Sequence, residues 1–148
     1  MRAVVQRVSE VLINSEGLQS AIGRGLLIYL GVAPDDTAPD VEYLVDKVRH
    51  LRIFEDEAGK LNLDIVQVGG DVMAVSAFTV QGDVRRGRRP SFDGAAPGEQ
   101  AMGLYDVFCR RLSAHGLRVE RGFFGRHMEV RSINDGPICI LLDSHKGF

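Results

Sequence analysis

Apolar residues dominate several short segments of the chain in patterns typical of β-strands. Residues 2–13 are rich in β-branched side chains that partly alternate with polar ones, and the turn residues Asn14-Ser15-Glu16-Gly17 follow them. Leu26–Val32 and Val72–Val80 are continuous apolar runs, which predict strands buried on both faces. We expect further short extended segments before Ile22 and at 52–55, 60–63, 127–133 and 138–142.

Two other segments carry apolar residues at the spacing of a helix. In the first they recur every three or four positions, at Val41, Leu44, Val45, Val48 and Leu51. This pattern predicts a helix over 38–51 with one buried face, and Thr37 and Asp40 have the spacing of a capping box at its start. A second helix is expected over 98–115. Because the few helices lie among short strands without a regular β-α-β alternation, the pattern indicates an α+β fold with a largely antiparallel or mixed sheet.

The composition is typical of one globular domain. The chain has 148 residues, of which 45% are hydrophobic and 26% charged, so we expect a single domain over residues 1–148. No stretch approaches the ~18 apolar residues of a membrane span and no signal pattern opens the sequence, so we expect a cytoplasmic protein without a membrane partner. Cys109 and Cys139 lie in apolar runs and are expected to be buried free thiols. The histidines are scattered, so we expect neither a metal site nor a cofactor.

The net charge of −2 conceals a difference between two parts of the chain. Residues 1–81 hold 7 basic and 12 acidic side chains, whereas residues 82–148 hold 11 basic and 8 acidic ones. Long loops such as Gly82–Gly98 are often functional. This one contains four arginines within five residues: Arg85, Arg86, Arg88 and Arg89. Because the planar guanidinium group suits phosphate, we interpret the segment as a phosphate-binding loop.

Ser76 and Thr79 are the two hydroxyl residues of the apolar run Val72–Val80. Two interpretations remain open. Their hydroxyls satisfy neighbouring backbone groups within a buried strand, or the strand end delivers a hydroxyl and backbone N–H groups into a pocket. Asn134-Asp135-Gly136-Pro137 predicts a turn between two strands. His127 could face a pocket, but no serine or aspartate at a telling spacing supports a catalytic triad.

Several motifs recur in order along nearly the whole chain. Four of them are the opening strand, a Gly-Arg-Gly-Leu-Leu segment, a Leu-Arg-Ile-Phe-Glu-Asp segment and the arginine loop, at Met1–Val8, Gly23–Leu27, Leu51–Asp56 and Gly82–Phe92. Two more are Ser76-Ala77-Phe78-Thr79 and Asn134-Asp135-Gly136-Pro137-Ile138-Cys139. Together they resemble the D-aminoacyl-tRNA deacylase family, also called D-tyrosyl-tRNA deacylases.

The resemblance implies a barrel-like α+β fold and a homodimeric hydrolase that needs no cofactor. Its substrate would be tRNA carrying a D-amino acid at the 3′ end, and the ester between the two would be cleaved. The resemblance places the catalytic segment at Ser76, Ala77, Phe78 and Thr79. We expect backbone N–H groups around Phe78 and Thr79 to stabilise the oxyanion that ester hydrolysis generates.

In the same resemblance, Gly136-Pro137 of one subunit carries a cis peptide bond and enters the pocket of the other. There it excludes L-amino acids by steric conflict, and we expect Arg7 to support it. Phe124, Met128 and Cys139 complete the expected substrate-binding set, and the four arginines are expected to bind tRNA. Because glycine has no side chain to exclude, hydrolysis of glycyl-tRNA mischarged on alanine tRNA is also expected.

Two positions depart from the family's motifs. Ala77 stands where the family has glutamine, and Cys139 stands where it has threonine. These departures leave two alternatives to the deacylase function. One is a catalytically weakened RNA-binding homologue that keeps the arginine loop. The other is a hydrolase that uses Cys139 as its nucleophile. The second is disfavoured, because threonine is the family's ordinary residue at that position.

Overall fold

Two long strands from opposite ends of the chain pair with each other. In the computed structural model, which describes residues 1–148, β1 (Arg2–Ser15) runs antiparallel to β8 (Glu129–Asp143) along almost its whole length. The other edge of β1 pairs first with β3 (Gly25–Gly31) and then with β2 (Leu18–Ile22), both antiparallel. β1 therefore has partners on both edges, which makes it a central strand of the sheet.

The sheet becomes parallel beyond β3. β3 pairs with β6 (Asp71–Ser76), and β6 pairs with β7 (Val119–Arg121). The resulting mixed sheet is nearly closed and barrel-like, and the predicted α+β class is confirmed. β4 (Phe54–Glu55) and β5 (Leu61–Leu63) form a separate two-stranded hairpin. The sequence pattern did not predict β7, which has only three residues.

The two helices begin and end within one residue of their predicted limits. They are α1 (Ala38–His50) and α2 (Gly98–Ala114). At the start of α1, the Asp40 carboxylate accepts hydrogen bonds from the backbone N–H of Thr37 at 2.8 Å and from its hydroxyl at 3.0 Å. The first of these bonds occupies a backbone donor that a helix start leaves without a partner. Neither helix is long and apolar enough to cross a membrane.

Successive residues of the inner strands face two different cores. On β3, Leu26 and Ile28 belong to the main core of 22 buried residues, which includes the apolar faces of both helices. Leu27 belongs to a second core of 7 buried residues on the opposite face of the sheet. Side chains alternate between the faces of a strand, so a strand between two cores must be apolar throughout. The predicted double-sided burial of this segment is confirmed.

The expected turn at Asn134–Pro137 does not separate two strands. Residues 129–143 form the single strand β8, with two register shifts against β1 near these residues. β1 presents hydrogen-bonding groups along its entire edge, so pairing resumes after each shift. The Gly136-Pro137 peptide bond is cis. The predicted strands at 127–133 and 138–142 are therefore two parts of one irregular strand.

The two cysteines differ in burial, contrary to expectation. Cys109 is fully buried on α2, and burial raises the pKa of its thiol to about 11. Cys139 is exposed. Its neighbours Ile138 and Ile140 pack against the main core, so alternation along β8 turns the Cys139 side chain outwards. An apolar run therefore did not imply burial of every residue in it.

β3 and β6 approach each other closely at Gly25. A Cβ atom at this position would lie 1.8 Å from the carbonyl oxygen of Asp71, the residue that pairs with Gly25 across the two strands. The Asp71 N–H also donates to the carbonyl of Arg24 at 3.0 Å. Only glycine fits where the parallel pairing begins.

Replacing Gly25 should therefore weaken the sheet. We expect Gly25→Ala to lower the free energy of unfolding by about 3 kcal/mol, because the two strands must separate to admit the methyl group. The matched control is Gly23→Ala, where a Cβ atom meets nothing within 4 Å. It should change stability by less than ~0.5 kcal/mol. Urea denaturation measures both, and equal losses would contradict the close-approach explanation.

Candidate active site

β6 does not continue to Val80, as its apolar run predicted. The strand ends at Ser76, and Phe78–Gln81 form a short 3₁₀ turn. β3 ends near this level, and the N–H of Ala77 makes the last bond to it, donating to the carbonyl of Leu30 at 2.9 Å. The residues that follow bond locally, and the N–H of Val80 donates to the carbonyl of Ala77 at 3.1 Å. The segment that resembles the family's catalytic motif thus lies at the exit of a strand.

A pocket with a volume of about 740 Å³ opens at this end of β6. Four segments form its walls: the ends of β3 and β6, the chain from Phe92 into α2, and the chain from Phe124 to the start of β8. Of its 19 lining residues, 13 are hydrophobic and none is acidic. It brings together six of the predicted site residues: Ser76, Ala77, Phe78, Thr79, Phe124 and Met128.

Other lining residues were not assigned from the sequence. They include Tyr29, Phe92, Ala95, Ala96 and Arg126. His127, which the sequence left open as a pocket residue, also lines the pocket. Arg126 reaches across to Glu16 in the turn between β1 and β2, with 3.1 Å between Nη1 and Oε2. Small alanines carry no sequence signal of their own, and only the fold shows that they border a cavity.

The pocket offers hydrogen-bond donors, but no side-chain hydroxyl in it is paired with a base that could activate it as a nucleophile. The hydroxyls of Ser76 and Thr79 have no side-chain partner in the structure, and His127 hydrogen-bonds to neither. The N–H groups of Phe78 and Thr79 are the first two of the 3₁₀ turn and have no acceptor within it. The pocket therefore provides unpaired backbone donors next to apolar walls.

Buried contacts hold two of the wall side chains in place. The sulfur of Met128 accepts a hydrogen bond from the N–H of Phe123 at 3.2 Å. The ring of Phe124 packs against Tyr105, with 5.9 Å between the ring centroids. The Tyr105 hydroxyl donates to the carbonyl of Ala74 on β6 at 2.9 Å, and burial raises the pKa of this phenol. The pocket wall is thus attached to β6, the strand that leads into the predicted catalytic segment.

Four of the six residues predicted to bind substrate or form the chiral filter lie outside the pocket of their own chain: Arg7, Gly136, Pro137 and Cys139. Arg7 is buried, and it donates from Nε to the carbonyl of Asp135 at 2.9 Å and from Nη1 to the carbonyl of Ile53 at 2.8 Å. The structure thus places Arg7 directly beside the Gly136-Pro137 segment. An exposed Cys139 on β8 cannot attack a substrate in the pocket of its own chain.

The arginine loop is tied at its base. Two backbone hydrogen bonds of 2.8 and 2.9 Å join Asp83 to Ser91. Arg85 pairs with Asp83 at 2.6 Å, and its hydrogen bonds lower the pKa of that carboxyl to about 2. Arg85 is thus partly neutralised, which the sequence did not indicate. The remaining arginines are exposed and form no ion pair in the structure: Arg86, Arg88 and Arg89.

The structure also gathers a charged cluster that the scattered sequence positions did not predict. Asp35, Asp36 and His145 place ligand-type atoms within 4.8 Å of one another. The Asp36 carboxylate already accepts hydrogen bonds from the α-ammonium of Met1, from the N–H of Ala33 at 2.6 Å and from His145 Nε2 at 2.8 Å. The bond to Asp36 raises the pKa of His145. The cluster connects both ends of the chain to the start of the α1 region.

Comparison with known proteins identifies the family. The family model described as D-Tyr-tRNA(Tyr) deacylase matches residues 4–143. Curated proteins named D-aminoacyl-tRNA deacylase from Koribacter versatilis and Thermotoga petrophila are each 55% identical over 149 aligned residues, covering 100% of both chains. A similar relative from Anaeromyxobacter dehalogenans is 54% identical over the same length.

Solved structures show the same fold. One described as c-Myc DNA Unwinding Element Binding Protein superposes with a TM-score of 0.91 at 40% identity, covering 97% of this chain and 98% of that one. Another, described as a probable eukaryotic D-amino acid tRNA deacylase, gives a TM-score of 0.83 at 21% identity, with coverages of 95% and 97%. The chain is thus a hydrolase of α+β fold. It belongs to the D-aminoacyl-tRNA deacylase family.

Proposed function

We propose that this chain hydrolyses the ester between a D-amino acid and the 3′-terminal ribose of tRNA, releasing the free amino acid and tRNA. The observation that carries the proposal is the pocket at the exit of β6, where Ser76–Thr79 border an apolar cavity and offer unpaired N–H donors. Full-length similarity to named deacylases supports the same substrate.

In the proposed reaction, water attacks the ester carbonyl and the N–H groups of Phe78 and Thr79 bind the oxyanion. Such fixed donors are worth ~10²–10³ in rate each. Because they belong to the backbone, they are retained although Ala77 replaces the family's glutamine. No base contacts Thr79, so we do not assign it as the nucleophile. The 2′-hydroxyl of the terminal ribose takes a proton from the attacking water and passes its own to the 3′-oxygen, which leaves as the ester bond breaks.

Chiral selection, in this proposal, comes from a second copy of the chain. Gly136 and Pro137 are exposed and lie outside their own pocket, and buried Arg7 holds the adjacent Asp135 carbonyl. They are therefore available to enter the pocket of a partner subunit and to exclude an L side chain. Glycine carries no side chain to exclude, so glycyl-tRNA mischarged on alanine tRNA is a second proposed substrate.

The same chemistry suggests where the rest of the substrate binds. Arg86, Arg88 and Arg89 are the unpaired cations of the loop that precedes Phe92, which lines the pocket. We assign them to phosphates near the 3′ end of tRNA. Because aminoacyl-tRNA is used in translation, proofreading by this enzyme would take place in the cytoplasm.

The decisive experiment offers D-Tyr-tRNA and L-Tyr-tRNA to the purified protein at equal concentration. We expect rapid release of D-tyrosine and no release of L-tyrosine above the spontaneous rate, because the Gly136-Pro137 segment of the partner subunit excludes the L-enantiomer. Quenched time points with radiolabelled amino acid measure both.

Release from neither substrate would contradict the enzyme and would favour the alternative of a catalytically weakened RNA-binding homologue. Release from both D-Tyr-tRNA and L-Tyr-tRNA would contradict the proposed chiral selection. The same preparation is sized by light scattering at micromolar concentration. A particle of 16.3 kDa, the mass of one chain, would contradict the proposed homodimer.

The Thr79→Ala variant tests the assignment of the proton transfer. We expect its single-turnover rate with D-Tyr-tRNA to stay within about threefold of wild type, because the backbone N–H remains in place. Thr79→Pro, which removes that N–H, should lose at least ~10²-fold. Its folding is checked by circular dichroism. A loss of several orders of magnitude in Thr79→Ala would show that the hydroxyl itself takes part.

The arginine loop is tested with the triple variant Arg86→Ser, Arg88→Ser and Arg89→Ser. Each lost phosphate contact should flatten the dependence of log affinity on log salt by ~0.7 for single-stranded RNA. The control removes the same charge elsewhere, with Lys47→Ser, Arg52→Ser and Lys60→Ser, and should keep the wild-type slope. Filter binding of tRNA from low to high salt measures both. Equal slopes in the two triple variants would contradict the assignment.

A further inference from the structure

Two large aromatic side chains at the mouth of the pocket remain in contact with water. Phe78 is 58% exposed and Phe92 is 38% exposed, although both line the cavity. Their rings meet edge to face, with 5.1 Å between centroids and 81° between planes. In this arrangement each ring supports the other and leaves apolar surface uncovered.

The backbone fixes the position of both rings. Phe78 is the first residue of the 3₁₀ turn, and Phe92 directly follows Ser91, which is tied to Asp83 at the base of the arginine loop. The Phe92 ring packs on the α-carbon of Gly82, where a Cβ atom would lie only 3.1 Å from it. The aromatic pair is therefore a preformed surface rather than two mobile side chains.

The surroundings of the pair favour one kind of occupant. Cations on the adjoining loop and an aromatic face beside them are the two components with which proteins bind single-stranded nucleic acid. No acidic side chain lines the pocket, so nothing there repels a phosphate. Unpaired RNA bases also stack readily on phenylalanine rings, because every base has a π-face.

We propose that Phe78 and Phe92 form a stacking platform for an unpaired base near the 3′ end of the RNA substrate. The inference rests on the proposed function, since it takes the occupant to be the end of tRNA. A base stacked there would hold the terminal nucleotide at the pocket mouth while the ester reaches the N–H groups of Phe78 and Thr79. The loop arginines would meet phosphates of the same strand.

The first test removes the ring of Phe92, the member of the pair whose backbone N–H is not assigned to the oxyanion. We expect Phe92→Leu, which keeps an apolar side chain but loses the ring, to raise KM for D-Tyr-tRNA about tenfold. Phe92→Tyr retains the ring and should restore the wild-type KM. An unchanged KM in Phe92→Leu would overturn the proposal.

The second test detects stacking without any turnover. The chain contains no tryptophan, so the Phe92→Trp variant carries a single indole reporter, on the platform. A single-stranded RNA ending in CCA should quench the emission of this variant, and the same RNA with abasic terminal nucleotides should not. The control is Leu18→Trp, on an exposed residue of β2 outside the pocket, which should show no quenching.

The outcomes distinguish this proposal from the function on which it rests. If wild type releases D-tyrosine but the emission of the Phe92→Trp variant does not respond to RNA, the platform is overturned while the deacylase function stands. If that emission is shielded from quenchers without RNA and becomes accessible on dilution, a second copy of the chain covers the rings, which also overturns the platform. Quenching by RNA without any deacylation by wild type would support the platform and contradict the deacylase function.

Discussion

The parallel pairing of β3 and β6 positions the candidate site, because the pocket opens where this pairing ends. At one end, Gly25 and Asp71 bring the strands together at a distance that only glycine permits. At the other end, pairing finishes at Leu30 and Ser76, and the backbone then bonds to itself in a tight turn. N–H groups that a longer strand would have used in the sheet are left unpaired at a cavity.

The two departures from the family's motifs, Ala77 and Cys139, are compatible with the fold because the bonds that shape the pocket come from the backbone. Ala77 changes a side chain in the pocket wall but leaves the carbonyl that Val80 uses and the turn that follows. Cys139 lies on an outward position of β8, away from the pocket of its own chain. Neither substitution removes a group that holds the cavity open.

The sequence predicted the elements whose formation depends on a regular spacing of apolar residues. α1 and α2 were found within one residue because their apolar spacing and the Thr37 cap act locally. The predicted end of β6 at Val80 was wrong, because Phe78, Thr79 and Val80 are apolar or β-branched and suit a strand as well as a turn. The end of the neighbouring strand β3 determines where β6 ends. The prediction of a turn at Asn134–Pro137 was also wrong, since pairing with β1 outweighs the local preference of these residues for a turn.

The candidate site was predictable only in part. Ser76–Thr79, Phe124 and Met128 were located through their motifs, and the structure brings them to one cavity. The sequence did not indicate Phe92, Ala95 and Ala96 as pocket residues, because they border the cavity only where distant segments of the chain converge. Arg85 was counted as a free cation, and its pairing with Asp83 emerged only from the closure of the loop.

The pairing of β1 with β8 also determines the order in which the molecule can assemble. β1 pairs along its length with β8, which is about 115 residues further along the chain, so this edge of β1 stays open until β8 has been synthesised. Such distant pairing makes folding slow, and an open edge invites association with other chains. A nascent chain that ends before β8 already holds Ser76–Thr79, yet it lacks Gly136-Pro137. In the proposed arrangement, synthesis of β8 therefore precedes any ability to discriminate between the two enantiomers of an amino acid.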